Sequence, residues 1–138
     1  MLRILDLIEH RNHHLEQFYS LNESELTNIA RVDYSNIEIF YNSREKILEN
    51  IRYIDSELNI EQKKDIQLTA DQKREIANGL AVKEEYVTRI LAQDLEILSC
   101  IESAKSNIIR ELQEMKRTRK AVGSYKSRSF SNRIDEEA

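Results

Sequence analysis

The chain has 138 residues, no proline, only two glycines (Gly79 and Gly123) and one cysteine, with 21 Lys and Arg against 25 Asp and Glu for a net charge of -4. That length suits about one domain, and the lack of turn residues excludes strand-rich folds and a glycine-rich phosphate loop. A single thiol, Cys100, closes no internal disulfide and leaves a cysteine-based metal site without a second ligand, as suits a reducing cytoplasm.

The opening MLRILDLI is interrupted by Arg3 and Asp6 and runs into EHRNHH without small residues suited to a signal-peptidase site. It reads as the start of a helix, not as a signal peptide. Apolar residues recur every three or four positions through Leu2, Leu5, Ile8, Leu15, Phe18, Leu26 and Ile29, then through Ile37, Phe40, Ile47, Ile51, Ile54 and Leu58. This is helical periodicity. A joint is expected near Val32 and Asp33, where the Asp33 carboxylate would cap a second helix; the alternative is one helix over residues 2–58.

Residues 59–70, NIEQKKDIQLTA, lose the periodicity and are read as a linker. Thr69 and Gln72 then form a capping box that starts the next helix. Gly79 is a point where that helix would weaken or end. Beyond it, Val87, Leu91, Leu95, Leu98, Ile101, Lys105, Ile108, Leu112 and Met115 mark a coiled-coil-type seam with Lys105 as its polar member. The seam is expected to reach Val122, with Gly123 as the C-cap. No apolar run approaches the roughly 18 residues of a membrane span. The fold expected is all-α, an elongated antiparallel helical hairpin or an up-and-down bundle of long coiled-coil-like helices. Residues 1–122 would form its single domain and residues 123–138 a flexible tail. A slender arrangement of this kind leaves seam residues for a homodimer or a client helix to cover.

Few residues suggest chemistry. His10 and His14 share a helix face beside His13, but a third ligand and the HExxH order are missing, so a solvated polar face is expected rather than a metal. Cys100, between Leu98 and Ile101 on the sequence's apolar pattern, has no activating histidine motif. Acidic and basic residues alternate at the spacing of solvated i, i+4 pairs. No enzyme and no cofactor are expected.

Two stretches suggest nucleic acid. REIANGLAVKEEYVTRIL, residues 74–91, has the outline of a helix-turn-helix with its turn at Ala81 and Val82, yet its second helix would open with Glu84 and Glu85 facing phosphates. From Lys116 to Arg133 the chain holds seven Lys or Arg and no Asp or Glu, with Tyr125 and Phe130 interleaved. Cations at a helix C-terminus and a polar terminus account for much of this run, so nucleic acid is a third-ranked partner.

The amphipathic first helix, the segment VDYSNIEIFYNSREKILENIRYIDSEL and the seam ILAQDLEILSCIESAKSNIIRELQEMKRTRKAVGSYKS together resemble the FlgN-type flagellar export chaperones over roughly residues 2–127. The resemblance implies a cytoplasmic, non-enzymatic helical chaperone of the flagellar type III secretion apparatus. Such proteins hold hook-filament junction proteins by their amphipathic terminal helices and dock on the export gate protein FlhA. It places client binding on Ile108, Ile109, Leu112, Met115 and Val122 and gate docking on Tyr125. The stretch at 74–91 and the end RSFSNRIDEEA depart from the family pattern. The competing reading is a structural coiled-coil dimerisation module.

Overall fold

The computed structural model describes residues 2–130, with side chains described for residues 2–123. Three helices account for nearly all of it: α1 (Arg3–Ala30), α2 (Ile37–Gln62) and α3 (Ala70–Phe130). Among the described residues there is no strand, so the fold is all-α as the composition and periodicity require. The chain divides into two compact units, Met1–Leu98 and Ser99–Ala138.

The first unit is an up-down-up bundle. Helices α1 and α2 run antiparallel, as Arg3 pairs with Glu57 and Arg11 with Asp55, each at 2.9 Å. Helix α3 runs parallel to α1: Asn12 meets Gly79, Tyr19 meets the edge of Tyr86, and Asn22 meets Gln93. Leu7, Ile8, Ile54 and Leu58 pack with Ile4 and Ile76 in one core cluster. In a second, Leu15, Phe18 and Ile90 pack with Ile47, Leu48, Ile51, Tyr86 and Val87. Among these, Ile8, Leu15, Phe18, Ile47, Ile51, Ile54 and Leu58 belong to the apolar spacing of α1 and α2, since positions three and four apart share one helix face, whereas Ile4, Leu7 and Leu48 lie outside that spacing.

The turn between α1 and α2 falls where the sequence places a joint, so residues 2–58 form two helices. Asp33 N–H bonds the Asn28 carbonyl and Val32 N–H the Ile29 carbonyl, both at 2.9 Å, which is the Schellman closure of a helix C-terminus. Val32 supplies the left-handed residue of that motif, with φ 58°. Asp33 does not cap α2 directly. Its carboxylate accepts from the Ser35 backbone N–H at 3.0 Å and the Ser35 hydroxyl at 2.6 Å, holding the turn ahead of Asn36, the residue at the N-terminal boundary of α2.

The capping box at the start of α3 is present in both directions: Thr69 N–H donates to Gln72 Oε1 at 2.9 Å and Gln72 N–H to Thr69 Oγ1 at 3.1 Å. The connection before it is shorter than expected, since α2 persists to Gln62. Buried Glu61 is paired there by Arg3 and Lys64, at 3.3 and 2.8 Å, which makes its place in the last turn tolerable.

Three expectations for the last helix need correction. Gly79 does not end α3; it lies inside the helix where α1 crosses closely. Gly123 is no C-cap, because the helix passes through it to Phe130, and residues 131–138 lie outside the described residues. The seam is also misassigned in the first unit: Ile90, Gln93 and Ile97 are buried, whereas Leu91, Leu95 and Leu98 are exposed. Both sets have helical spacing, and periodicity alone does not say which stripe meets α1 and α2.

Candidate helix-binding surface

In the second unit, helix α3 presents apolar side chains without a covering partner among the described residues. Ile108, Ile109, Leu112, Met115 and Val122 are all exposed, from 45% for Val122 to 59% for Met115. Their positions in a helix bring Ile108, Leu112 and Met115 to one face, with Ile109 flanking it. Glu111, Glu114, Thr118 and Arg119 frame Met115 in a shallow open hollow. Each residue that the sequence singles out for client binding is thus available on the surface. Tyr125, the residue singled out for gate docking, has a helical backbone, but its side chain lies outside the described residues.

Such a face suits another amphipathic helix. Apolar burial supplies affinity at about 25 cal/mol per Å² of surface removed from water, and the flanking charges set the orientation of the incoming helix. Isolated exposed leucines are ordinary. Several at consecutive helical turns form the kind of patch that marks an interaction surface.

The first unit holds a second apolar feature that sequence reasoning missed. A cavity of about 180 Å³ lies between α2 and α3 over α1, bounded by Phe18, Leu48, Ile51, Val87 and Leu91. At its rim Arg44 bonds Asp94 at 3.2 Å while its guanidinium lies 4.8 Å from the Phe18 ring and 5.2 Å from that of Phe40. One side chain therefore ties α2 to both neighbours. The adjacent pair Ile47 and Leu48 on α2 was the available signal, since only one of two neighbouring residues can point fully into the core.

A polar interlock lies beside this cavity. Asn22 is fully buried and donates to Gln93 Oε1 and Asp94 Oδ1, both at 3.1 Å. Gln93 in turn donates to the Tyr19 carbonyl at 3.1 Å and to Glu23 at 2.7 Å. These bonds fix the register of α3 on α1, because a shift of one turn would strand every one of these polar groups.

The other sites weighed in the sequence take ordinary structural places. His10 Nδ1 lies 2.8 Å from the Asp6 carbonyl and His14 Nδ1 lies 3.1 Å from Gln17 Oε1, so these rings engage their own helix. Among the described residues no group of three or more His, Cys, Asp or Glu is placed to hold a metal ion. Cys100 is a half-buried free thiol. Ala81 and Val82 lie inside α3, so residues 74–91 contain no helix-turn-helix. Among the described residues no helix is long and apolar enough to cross a membrane.

No protein-family model, no curated protein and no solved structure matches the chain.

Proposed function

We propose that this protein is a helix-binding export chaperone of the FlgN type, which holds amphipathic terminal helices of hook-filament junction proteins and presents them to the export gate protein FlhA. The observation that carries this reading is the uncovered face of α3 at Ile108, Leu112 and Met115, flanked by Ile109 and Val122. A chaperone for a disordered or monomeric client needs an apolar face open in the unloaded state and charged neighbours that keep the protein in solution. Lys116, Arg117, Arg119 and Lys120 follow that face on the same helix. The reading assigns no catalytic residue and no cofactor, and it gives Tyr125 the gate-docking role that the sequence resemblance implies. It also places the protein in the cytoplasm, where export clients are held before secretion.

The test is capture of a purified junction protein. Leu112→Asp combined with Met115→Asp is expected to abolish capture while circular dichroism shows unchanged helicity. A folded double variant that retains its client would overturn the reading. Tyr125→Ala is expected to weaken binding to FlhA and leave the client bound, and undiminished gate affinity would remove Tyr125 from that role.

A second reading, a coiled-coil dimerisation module without a client, draws on the same exposed residues. A 1:1 complex on addition of a junction protein favours the chaperone, and a dimer unresponsive to it favours the module.

A further inference from the structure

The cations of the second unit are not matched within it. Over residues 99–123 six Lys and Arg stand against three Glu. In the first unit eight of the twelve Lys and Arg are held in ion pairs. Among the described residues none of Lys105, Arg110, Lys116, Arg117, Arg119 or Lys120 is in one, although Glu102, Glu111 and Glu114 share their helix.

Two of these cations lie on the apolar face itself. Steps of seven place Lys105, Leu112 and Arg119 in one line along α3, beside the line of Ile108, Met115 and Val122. Lys105 and Arg119 are exposed, so each is hydrated while the face is open. A helix laid over Ile108, Leu112 and Met115 also crosses both of them, two heptads or about 21 Å apart. Covering a charge removes its water, which is costly unless an opposite charge reaches it. An occupant apolar at these two points leaves both cations unpaired, and a basic one repels them. Positions two heptads apart stay on one seam line of the occupant whichever way it runs, so the spacing requirement does not depend on direction.

We propose that this face selects an acidic amphipathic helix: one with apolar side chains over Ile108, Leu112 and Met115 and two Asp or Glu on its own seam, two heptads apart, that meet Lys105 and Arg119. Lys116, Arg117 and Lys120 surround Arg119 in sequence, so the more acidic end of the occupant lies over residues 116–120. A second copy of this unit brings the same excess of positive charge and is disfavoured. The proposal rests on the chaperone reading of the face and adds the chemistry by which the face tells a client from other amphipathic helices.

The test is binding of the purified full-length chain to three synthetic amphipathic peptides, read by fluorescence anisotropy. They share one apolar seam. The first carries two Glu on that seam two heptads apart, the second has the same two Glu moved to its solvent face, and the third has Lys at the two seam positions. The first is expected to bind about tenfold tighter than the second at low salt, by a margin that narrows as salt screens the charges, and the third is expected not to bind. Lys105→Glu with Arg119→Glu, both at exposed positions, is expected to leave helicity unchanged by circular dichroism and to reverse the order, so that the Lys peptide binds and the first peptide does not. Equal affinity for the first two peptides overturns the proposal, as does an unchanged order in the double variant. Tighter binding of a single-stranded oligonucleotide than of the first peptide would assign the cations to nucleic acid, and a dimer that does not yield to the peptide would assign the face to a second copy; either result overturns it. Capture of a junction protein judges the chaperone reading separately. Capture without discrimination among the peptides removes the charge rule alone, and discrimination without capture removes the chaperone reading alone.

Discussion

Gly79 of α3 meets Ile8 of α1 so closely that a Cβ on the glycine would lie 2.5 Å from Ile8 Cγ2. The same contact brings the Asn12 side-chain amide to 2.9 Å from the Gly79 carbonyl. A glycine inside a helix ordinarily costs about 1 kcal/mol relative to alanine; here it permits the approach of two helices.

Gly79→Ala is therefore expected to destabilise the protein despite its better helix propensity. Ile8 is buried and its Cγ2 sits on a stiff β-branched carbon, so it cannot swing away. Overpacking of this kind costs about 1–3 kcal/mol, which chemical denaturation would resolve. Adding Ile8→Leu removes the Cγ2 branch, and the double variant should recover part of the loss.

Val32→Gly is expected to act in the opposite direction. Val32 holds φ 58° and its side chain is 75% exposed, so the change gives up little packing and relieves a conformation that β-branched residues resist. The left-handed conformation costs a non-glycine residue about 1–2 kcal/mol. The variant should unfold at a higher temperature, its gain reduced by the greater freedom of glycine in the unfolded chain.

Asn22→Leu removes the donor shared by Gln93 and Asp94 in a fully buried position. Leaving the buried Gln93 Oε1 without a donor costs about 1–3 kcal/mol, while Asp94 Oδ1 keeps its bond from Arg44. A lower denaturation midpoint is expected, with hydrogen exchange accelerated first where α1 and α3 meet. Unchanged stability would show that Gln93 and Asp94 find other partners.

The turn before α2 should respond to acid. Hydrogen bonds from the Ser35 hydroxyl, and then from the Ser35 backbone N–H, hold the Asp33 carboxyl below the usual aspartate range. A depressed folded-state pKa adds stability above the unfolded value, and that stability is lost as pH falls through the folded value. Asp33→Asn should flatten this part of the acid dependence. Stability measured across the range below the ordinary aspartate pKa checks it, and an identical profile for the variant would rule out a contribution from Asp33.

Much of the fold is legible in local chemistry. The joint at Val32 and Asp33, the capping box of Thr69 and Gln72 and the inward stripes of α1 and α2 each depend on residues within a few positions of one another. The exposed residues Ile108, Ile109, Leu112, Met115 and Val122 were legible for the same reason, since an apolar face at helical spacing needs no distant contact to be recognised. Gly123 misled because glycine ends helices often but not necessarily, and nothing adjacent to it forces the chain to turn.

What the amino-acid order determined by itself is the all-α class, the place of the joint before α2 and the capping box that starts α3, all properties of short stretches of chain. The tertiary structure alone decided that Ile90, Gln93 and Ile97 face inward while Leu91, Leu95 and Leu98 face out. That choice rests on contacts between residues some 70 positions apart, Asn22 with Gln93 and Ile8 with Gly79. Steric fit and buried hydrogen bonds set the rotation of α3 about its axis, and neither has a signature in local periodicity.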